Sequence, residues 1–569
     1  AVVNGEFYGS APLRDRLLRG GHAFRGASDS EVLVHLWEEM GPEALQQLTG
    51  MFALAVFDTK ARVLLLARDR MGKKPLYWHD DGSRIVFASE LKALLLHPGV
   101  PRDVDESAVV ESLTFGYITS PRSIWKGVNK LPPGHFILCD SSGPRTKRYW
   151  TPPAEGPRPE SGQAAAEELR REIEDAVRTR LVADVPIGAL LSGGIDSSCV
   201  AAVMSAQRGT PISTFCVGVE GTTDQDILHA RLVASQIGSD HHEYWIGPGS
   251  LALLPRLVWA LDEPFFDPSI LPSYHVARLA RERVTVVLSG DGGDEMFGGY
   301  DTYRKAMRHA AADWVPWPGR NLVASAARAF RLGGNLGERM RQWDRDLLQR
   351  HLWNMSLFHA EDFEGLLAPG LAEAVASSPI PLARRPRRNG EGIAGLLAYD
   401  AETYLPDDVL AKVDRMSMLN SLEVRTPLLD QRIVEFSARL PISMKLHQGV
   451  TKWVLREAVK GILPEPVLQR RKRGFGVPLY RWMDQGLRAL ASEILLDGRC
   501  ARRGWLDPKG LAALLGPGPQ PGRRAHQVFA LTCLELWART YVDRPREDLV
   551  SPMDGPLELH PAVSVEQVA

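Results

Sequence analysis

Short apolar runs separated by polar turns fill the first 150 residues. The runs at 51–57, 63–67 and 85–88 have the length and composition of strands. Residues 12–19 and 29–40 instead carry apolar positions at helical spacing. Together these patterns predict an α+β domain over residues 1–150.

The pattern changes beyond residue 160. Leu169, Ile173, Val177 and Leu181 recur every four residues, which predicts an amphipathic helix. This helix precedes a part of the chain in which strand patterns and helix patterns alternate.

Strand-like apolar segments at 187–191, 212–218 and 284–288 alternate with helical patterns such as 227–237. This alternation is typical of a parallel, doubly wound α/β sheet. From about residue 300 to 543 the pattern is mostly helical. We therefore predict an α/β domain with a helical C-terminal part.

Proline and charged residues mark the boundaries. The proline-rich stretch 151–159 breaks regular structure, so we predict a linker at 151–163 and a second domain at 164–543. Residues 544–569 are rich in Pro, Glu, Asp and Val without periodicity, which predicts a disordered tail.

Composition narrows the class of protein. Of the 569 residues, 44% are hydrophobic and 24% charged, as in soluble globular proteins. The net charge of −1 gives no reason to expect nucleic acid or a membrane surface as a partner. The five cysteines show no metal-type spacing, and no apolar run resembles a membrane span or a signal peptide. We predict a cytoplasmic protein that acts on small molecules.

A glycine turn follows the segment 187–191 and leads into a helical pattern. From Ser192 to Ser198 it reads Ser-Gly-Gly-Ile-Asp-Ser-Ser. Glycines let backbone amides approach an anion, a helix N-terminus favours negative charge, and Asp196 can hold Mg²⁺. No GxxxxGK(S/T) sequence occurs, so this is not a Walker loop. The turn predicts a phosphate site; a plain Gly-Gly turn is the alternative.

A second glycine loop, Ser-Gly-Asp-Gly-Gly-Asp-Glu, follows the segment 284–288 and runs from Ser289 to Glu295. In open α/β sheets, the loops at the carboxyl ends of strands meet at one crevice. Asp196 and Asp294 are therefore predicted to hold Mg²⁺ from opposite sides of that crevice. Acidic surface turns are the alternative interpretation.

Two basic features lie further along the chain. Lys452 starts a helical pattern, and its ammonium group could neutralise charge on a leaving pyrophosphate or on a carboxylate under attack. Residues 470–473 read Arg-Arg-Lys-Arg, which could neutralise phosphate, face solvent or contact nucleic acid. Neither feature alone decides the function, because lysines and short basic runs commonly lie on solvated faces.

Taken in order, the motifs resemble those of the glutamine-dependent asparagine synthetase family from residue 1 to about 543. Ser-Gly-Gly-x-Asp-Ser at 192–197 resembles the pyrophosphate loop of ATP pyrophosphatases, which cut ATP to AMP and pyrophosphate. The other matching motifs are Asn4-Gly5-Glu6, Ser28-Asp29-Ser30-Glu31, Gly50-Met51-Phe52-Ala53, 67–77, 289–295, Lys452, and a helical signature at 405–410, 414–418 and 427–430.

The resemblance implies a class II glutamine amidotransferase domain of the N-terminal-nucleophile type, followed by a PP-loop synthetase domain. In the family the first two motifs bind glutamine, which implicates Asn4, Gly5, Glu6 and Asp29. The synthetase domain would adenylate a carboxylate, release pyrophosphate and AMP, and use ammonia that arrives through the protein. Family members often form homodimers.

For ATP, the resemblance implies adenine near Leu190 and Val217. Asp291 and Lys452 are implied to be catalytic, with Mg²⁺ on Asp196 and Asp294. The remaining residues implied to bind ATP are Ser192, Gly193, Gly194, Ser197, Ser198, Ser289 and Gly290.

One departure concerns the glutaminase nucleophile. In the family it is a cysteine several dozen residues before the Asn-Gly-Glu motif, whereas Asn4 stands almost at the start of this sequence. Cys139, the nearest cysteine, lies far downstream. We therefore expect an incomplete glutaminase domain, and a chain that as printed uses free ammonia but not glutamine.

A second departure concerns the acceptor. The segment Asp-Pro-Ser-Ile-Leu-Pro at 267–272 stands where strict asparagine synthetases have Thr-Thr-Ile-Arg, and Asp291 replaces a glutamate. Both variants resemble a bacterial branch that includes enzymes amidating other carboxylates. The side chain of aspartate is the leading acceptor, and another carboxylate is the alternative.

Two other classes of function stay open. A pyrophosphatase with thiolation chemistry would need a reactive cysteine near the first loop, but Cys199 falls in an apolar helix start. A non-catalytic scaffold would fit an incomplete glutaminase domain, but two intact glycine loops argue against it.

Overall fold

The computed structural model describes residues 1–153, 156–221, 225–309, 315–330, 337, 340–377, 392–472, 474–516 and 522–552. Residues 154–155 of the predicted linker and 553–569 of the predicted tail lie outside these ranges, as does Arg473 of the basic run.

The first 150 residues form two antiparallel sheets with the orders β1-β2-β3-β7-β8 and β5-β4-β6. The strands predicted at 51–57, 63–67 and 85–88 are confirmed as β2, β3 and β5. The bounds are β1 Val2–Phe7, β2 Gly50–Asp58, β3 Val63–Arg68, β4 Tyr77–Asp80, β5 Ile85–Ala88, β6 Val128–Lys130, β7 His135–Asp140 and β8 Gly143–Arg148.

Helices cover one face of the larger sheet, where Leu17, Val32 and Leu36 pack against Phe52 and Leu54 of β2. The helices predicted at 12–19 and 29–40 are confirmed as α1 and α2. The helices of this part are α1 Ala11–Arg19, α2 Asp29–Met40, α3 Ala44–Gln47, α4 Leu91–Leu95 and α5 Glu106–Phe115, with a 3₁₀ turn at Gly41–Glu43.

The second part is built on a parallel sheet with the order β11-β10-β9-β12-β13. The predicted doubly wound α/β fold is confirmed. The strand order reverses between β9 and β12, which makes this pair the topological switch point of the sheet. The strands are β9 Ile187–Leu190, β10 Ser213–Val219, β11 Asp240–Ile246, β12 Val286–Leu288 and β13 Glu423–Arg425.

Helices surround this sheet and form most of the chain beyond residue 300. The amphipathic helix predicted around 169–181 is confirmed as α6, with Leu169, Ile173 and Val177 buried. The helices up to residue 330 are α6 Gly162–Arg180, α7 Ile195–Arg208, α8 Gln225–Ile237, α9 Leu254–Leu261, α10 Ile270–Arg281, α11 Gly293–Phe297, α12 Asp301–His309 and α13 Trp317–Ala329.

The remaining helices follow in chain order. They are α14 Leu347–Met355, α15 Ala360–Phe363, α16 Pro369–Ser377, α17 Ile393–Glu402, α18 Leu410–Met418, α19 Gln431–Arg439, α20 Ile442–Lys445, α21 Trp453–Ala458, α22 Glu465–Leu468, α23 Leu479–Trp482, α24 Arg488–Leu495, α25 Arg499–Arg503, α26 Pro508–Leu515 and α27 Gly522–Tyr541. Further 3₁₀ turns lie at Pro248–Leu253, Pro427–Leu429 and Arg546–Val550, and π-helical turns at Leu405–Val409 and Met483–Leu487.

The stretch from residue 544 differs from the predicted disordered tail in its first nine residues. Leu549 is fully buried, and the Arg546 guanidinium donates hydrogen bonds to the carbonyl oxygens of His97 and Val100 at 2.9 and 2.6 Å. Composition alone missed this segment because its order comes from tertiary contacts with the first part of the chain.

Over the described ranges, every helix is either too short or too polar to cross a membrane.

Candidate active site

The first glycine loop connects β9 to the N-terminus of α7. Gly193 has a φ of +68°, and a Cβ there would lie 2.5 Å from a neighbouring carbonyl oxygen, so the turn requires glycine. No side chain of the described residues caps α7, so its first amides are available to an anion. The Ser192 amide donates to Ser197 Oγ at 3.1 Å, and Ser198 Oγ is buried with no hydrogen-bond partner in the described chain.

The second glycine loop follows β12, which pairs with β9, so the two loops lie side by side. A Cβ at Gly290 would lie 2.4 Å from the Ser197 nitrogen, and a Cβ at Gly293 would lie 2.3 Å from Asp196 Oδ1. The glycines therefore allow a contact between the loops that any larger residue would block. The structure brings both predicted loops to one crevice at the carboxyl ends of the strands.

A methyl group added at Gly293 should disturb the crevice more than the fold. Gly293→Ala must displace Asp196 or the second loop, and we expect at least about tenfold slower turnover, with a loss of stability of about 1–3 kcal/mol, typical of overpacking. Steady-state kinetics and thermal unfolding measure the two effects. Gly370→Ala is the control, because a Cβ there meets nothing within 4 Å. Equal activity in both variants would contradict the close approach of the loops.

Lys452 lies between the two aspartates that the sequence predicts as metal ligands. Its ammonium group forms ion pairs with Asp196 and with Asp294, the latter at 2.6 Å, and the residue is only 2% exposed. Lys452 has a φ of +54° immediately before α21, a conformation that costs energy for a residue with a Cβ. Lys472 Nζ contacts Asp294 Oδ2 at 2.6 Å from the other side.

The charges of this cluster decide whether it could hold a cation. Burial raises the pKa of Asp196, and Lys452 opposes that rise. Burial acts in the same direction on Asp294, but Lys452 and Lys472 outweigh it and lower the pKa of that carboxyl to about 2. Asp196 Oδ1 is buried without a hydrogen-bond partner in the described chain. Two carboxylates from facing loops, one with an unused oxygen, fit the oxygen preference of Mg²⁺.

A cavity of about 430 Å³ opens above the two loops. Its apolar wall includes Leu190, Val217, Val276 and Ala277 from the central strands and α10, where a flat ring could pack. The cavity wall thus contains both residues predicted near adenine, together with all but two of the predicted phosphate, metal and catalytic residues. Those two, Gly193 and Ser198, are not part of its wall.

The wall of the cavity also includes members of a second charged cluster, which sequence reasoning missed. Lys412 on α18 forms an ion pair with Asp267 and lies 3.6 Å from Asp408. Burial raises the pKa of Asp408 to about 8, although Lys412 opposes the rise. Asp291 lines the same cavity and accepts a hydrogen bond from Ser289 Oγ at 2.7 Å. Burial raises the pKa of the Asp291 carboxyl as well.

The helical signature at 405–418 contacts both parts of the chain. Asp407 accepts hydrogen bonds from the amide and hydroxyl of Ser120, both at 2.7 Å, and Lys74 forms a buried ion pair with Asp414 at 2.7 Å. The π-helical turn Leu405–Val409 directs Asp407 to Ser120 and its neighbour Asp408 towards Lys412. Such turns are common at functional sites. The lining of the cavity is therefore fixed by contacts with the first 150 residues.

The residues predicted to bind glutamine gather around β1. Position 5 has to be glycine, since a Cβ there would lie 1.9 Å from a β2 carbonyl oxygen. Asn4 donates to Ser89 Oγ at 3.0 Å, and Asp29 Oδ2 accepts from the Phe7 amide at 2.7 Å. Burial raises the pKa of Glu6 to about 7; Arg425 opposes the rise and Asp29 adds to it. Their role in binding glutamine stays a prediction.

Part of the basic run reaches the crevice. Arg470 Nη1 donates to the Gly193 carbonyl oxygen at 2.8 Å, and Lys472 contacts Asp294 as described above. For these two residues the solvent-facing interpretation is wrong. Lys412 could have been found from its spacing of four from Asp408 on a helical pattern, but its partner Asp267 lies 145 residues away.

Comparison with known proteins agrees with this geometry. A family model described as asparagine synthase matches residues 168–539, and one described as a glutamine amidotransferase domain matches residues 1–150. The chain belongs to the asparagine synthetase family. The two matches divide the chain where the structure passes from antiparallel sheets to the parallel sheet.

Several asparagine synthetase relatives are similar over most of their length. A relative from Mycobacterium tuberculosis, whose name contains the words asparagine synthetase, is 34% identical over 495 residues, covering 85% of this chain and 76% of the relative. The glutamine-hydrolyzing asparagine synthetases 1 and 3 of Bacillus subtilis are each 31% identical, covering 88% and 83% of this chain and 79% and 74% of the relatives. The relatives are enzymes of the ligase class, which confirms the predicted class of this chain.

Proposed function

We propose that the protein is an ATP-dependent amide synthetase that adenylates a carboxylate and transfers nitrogen to it, with the side chain of aspartate as the leading acceptor. The observation that carries this proposal is the crevice itself. Two glycine loops from adjacent parallel strands meet there with Asp196 and Asp294, and Lys452 lies between them. A solvated turn or a scaffold has no need for a buried lysine between two buried carboxylates.

In this proposal the first loop binds the ATP phosphates. The uncapped N-terminus of α7 and the hydroxyl groups of Ser192 and Ser197 would receive the anion at the wall of the cavity. Ser198, which is also predicted to bind ATP, is buried outside that wall. Lys452 and Lys472 supply positive charge on the side where pyrophosphate leaves. Mg²⁺ held by Asp196 and Asp294 would neutralise charge on the phosphate oxygens.

The reaction then proceeds in two steps. A carboxylate oxygen of the acceptor attacks the α-phosphorus of ATP. The bond between that phosphorus and the oxygen bridging to the β-phosphate breaks, and pyrophosphate leaves with this oxygen and its electron pair. Ammonia attacks the resulting acyl carbon, the nitrogen loses a proton, and AMP leaves. Asp291 lines the same cavity, close enough to Lys412 for that lysine to act on its pKa, and the acceptor would be aligned there.

A second cavity supports the delivery of ammonia from the glutaminase part. It measures about 1380 Å³ and is lined by Trp78 and Lys130 from the first part and by Met296 and Lys445 from the second. Glu295 lines both cavities, so the two cavities adjoin at this side chain. Ammonia generated on the glutaminase side would reach the acyl carbon through this wall.

The cluster around Lys412 bears on the alternative that the acceptor is a carboxylate other than aspartate. An aspartate acceptor has a second carboxylate, which would need a cation at the acceptor end. Lys412 is there, but it is already paired with Asp267 in the segment that departs from strict asparagine synthetases. This observation favours the alternative that the enzyme amidates another carboxylate of a biosynthetic pathway.

Thiolation has less support from the structure. Cys199 is fully buried in α7, and burial raises the pKa of its thiol, which makes it a poor nucleophile. Cys216 does line the cavity, but it is only 2% exposed and belongs to a central strand. A homodimer remains a prediction from the resemblance.

Pyrophosphate release with a panel of acceptors tests the proposal. The protein is incubated with ATP, Mg²⁺, ammonia and either aspartate, glutamate or another amino acid or carboxylate, and AMP and the amide are quantified together. We expect equal amounts of pyrophosphate, AMP and amide with one acceptor and little without it. Release with an acceptor other than aspartate would establish the alternative substrate, and no acceptor-dependent release with any carboxylate would contradict an amide synthetase.

A further inference from the structure

Two histidines and a glutamate meet on the outer side of the first part, far from the ATP crevice in sequence and unused by the proposed reaction. His22 lies in the connection between α1 and α2, and His35 and Glu38 lie three residues apart on α2. The imidazoles are mostly covered, with side-chain exposures of 19% and 13%, whereas Glu38 is 59% exposed. Among the described residues, this is the group of three His, Cys, Asp or Glu side chains whose ligand atoms all approach closely enough to share one ion.

The distances within this cluster match the face of a metal tetrahedron. His22 Nδ1 and His35 Nδ1 are 3.1 Å apart, His35 Nδ1 and Glu38 Oε2 are 3.2 Å apart, and His22 Nδ1 and Glu38 Oε2 are 3.5 Å apart. Zinc binds nitrogen and oxygen ligands at about 2.0–2.2 Å, which puts neighbouring ligands of a tetrahedral ion about 3.3–3.6 Å apart. The distance of 3.5 Å lies within that range, and the distances of 3.1 and 3.2 Å lie just below it.

Hydrogen bonds alone satisfy this arrangement poorly. In a neutral imidazole, Nδ1 is either a donor or an acceptor, and an ionised carboxylate only accepts. If one Nδ1 carries a proton, its N–H can donate a good hydrogen bond to one of its two neighbouring atoms. The two atoms of the cluster that carry no proton then direct lone pairs at each other. If both carry protons, the two N–H groups oppose each other. A cation at the centre would instead accept a lone pair from all three atoms.

The outer ring nitrogens also have the surroundings of metal ligands. Metal-bound histidines usually donate their other N–H to a carboxylate or carbonyl, which fixes the tautomer. Glu39 Oε1 lies 3.3 Å from His22 Nε2, and Glu31 Oε1 lies 3.8 Å from His35 Nε2. His35 Nε2 is buried and makes no hydrogen bond within the described residues. Binding at both Nδ1 atoms would leave both Nε2–H groups directed at these carboxylates.

We propose that His22, His35 and Glu38 bind one divalent transition-metal ion of the Zn²⁺ type, with water at the fourth position. Two imidazoles and a carboxylate suit Zn²⁺ better than the all-oxygen sites of Mg²⁺ or Ca²⁺. The exposed side of Glu38 leaves room for the water. This site does not depend on the proposed synthetase activity.

The position of the site suggests what the ion would stabilise. It joins the connection at 20–28 to the middle of α2, and α2 begins at Asp29, which holds the Phe7 amide at the end of β1. The ion would therefore close a loop that leads directly to a residue predicted to bind glutamine. Its expected effect is on the order and stability of this segment, since the acyl transfer takes place elsewhere.

Metal binding by the whole chain tests this proposal. Protein freed of metal with a chelator is dialysed against micromolar Zn²⁺, and bound metal is counted; Co²⁺ is added separately to record the visible absorption of a tetrahedral site. We expect one Zn²⁺ per chain, an intense Co²⁺ spectrum, and a rise of the melting temperature with Zn²⁺ concentration, because an ion that binds only the folded state stabilises it.

Two variants and a control locate the ion. Glu38→Gln removes an exposed ligand with little risk to folding and should weaken Zn²⁺ binding at least about tenfold, the scale seen when a metal site loses supporting groups. His22→Gln should abolish stoichiometric binding, and His97→Gln, a histidine outside the cluster, should bind as the parent does. The proposal would be overturned if the parent protein bound less than about half an equivalent of Zn²⁺ per chain at an about 50-fold molar excess of the metal, in the range of tens of micromolar. Unchanged Zn²⁺ binding in both cluster variants would overturn it as well.

Discussion

Replacing Asp294 with asparagine is expected to lower acceptor-dependent pyrophosphate release by about a hundredfold or more, the scale for losing a charged group that acts on the transition state. Asp294 holds Lys452 and Lys472 in place, both at 2.6 Å, and is a predicted Mg²⁺ ligand. The amide keeps the shape of the side chain but removes its charge. Lys452 and Lys472 would then repel each other, with Asp196 and Glu295 as the remaining acidic groups that act on Lys472.

The loss should be specific to the crevice. Asp240→Asn is the matched control, because Asp240 starts β11 at the opposite end of the parallel strands and is 59% exposed. Thermal unfolding of Asp294→Asn should show a folded protein that is less stable by a few kcal/mol, since a buried lysine loses a partner. Asp196→Asn provides a second variant in which Lys472 keeps its partner. Activity within a few-fold of the parent in both variants would contradict the assignment of the metal and phosphate site.

The sequence was most informative where buried strands lead directly into glycine loops. Residues 187–191 and 284–288 are apolar because both strands lie in the centre of the sheet, and the glycines follow immediately. Since neighbouring parallel strands end at the same edge, the rule for open sheets was sufficient to bring Asp196 and Asp294 together. The family resemblance then supplied the identity of the chemistry, which the pattern alone could not.

Strands at the two edges of the same sheet were not found. β11 contains Asp240, His241, His242 and Glu243, a polar stretch that an edge strand tolerates because one side faces solvent. β13 has only three residues and lies within a region of helical periodicity. Both depend on pairing with a neighbour that is distant in sequence, which local patterns do not contain.

Charged clusters that join distant segments were also beyond sequence reasoning. Lys412 and Asp267 are brought together by packing of α18 against α10. His22 and His35 meet through the turn between α1 and α2, and their spacing of 13 residues follows no common metal motif. In each case the residue types were visible, but their partners were set by tertiary structure.

Asp291 tests which half-reaction the acceptor end of the cavity serves. Its carboxyl is held by Ser289 Oγ at 2.7 Å, beside the predicted phosphate-binding Gly290, and it lies on the same side of the cavity as Lys412. A carboxylate in this position could accept a proton from the attacking amine or could align the acceptor for attack on ATP. The resemblance associates the acid at this position with formation of the acyl-adenylate, and we favour that role.

We therefore expect Asp291→Asn to lose acceptor-dependent exchange of labelled pyrophosphate into ATP by about a hundredfold or more, while ATP still binds. Exchange reports adenylation without the ammonia step, so it separates the two roles, and ATP affinity measured by equilibrium binding shows that the phosphate loops are intact. Asp484→Asn, an 82% exposed aspartate, serves as the control. If exchange stays normal while amide formation is lost, Asp291 belongs to ammonia attack. Because Asn cannot accept a proton but can still donate a hydrogen bond, that result would identify Asp291 as the base that takes the proton from the attacking nitrogen.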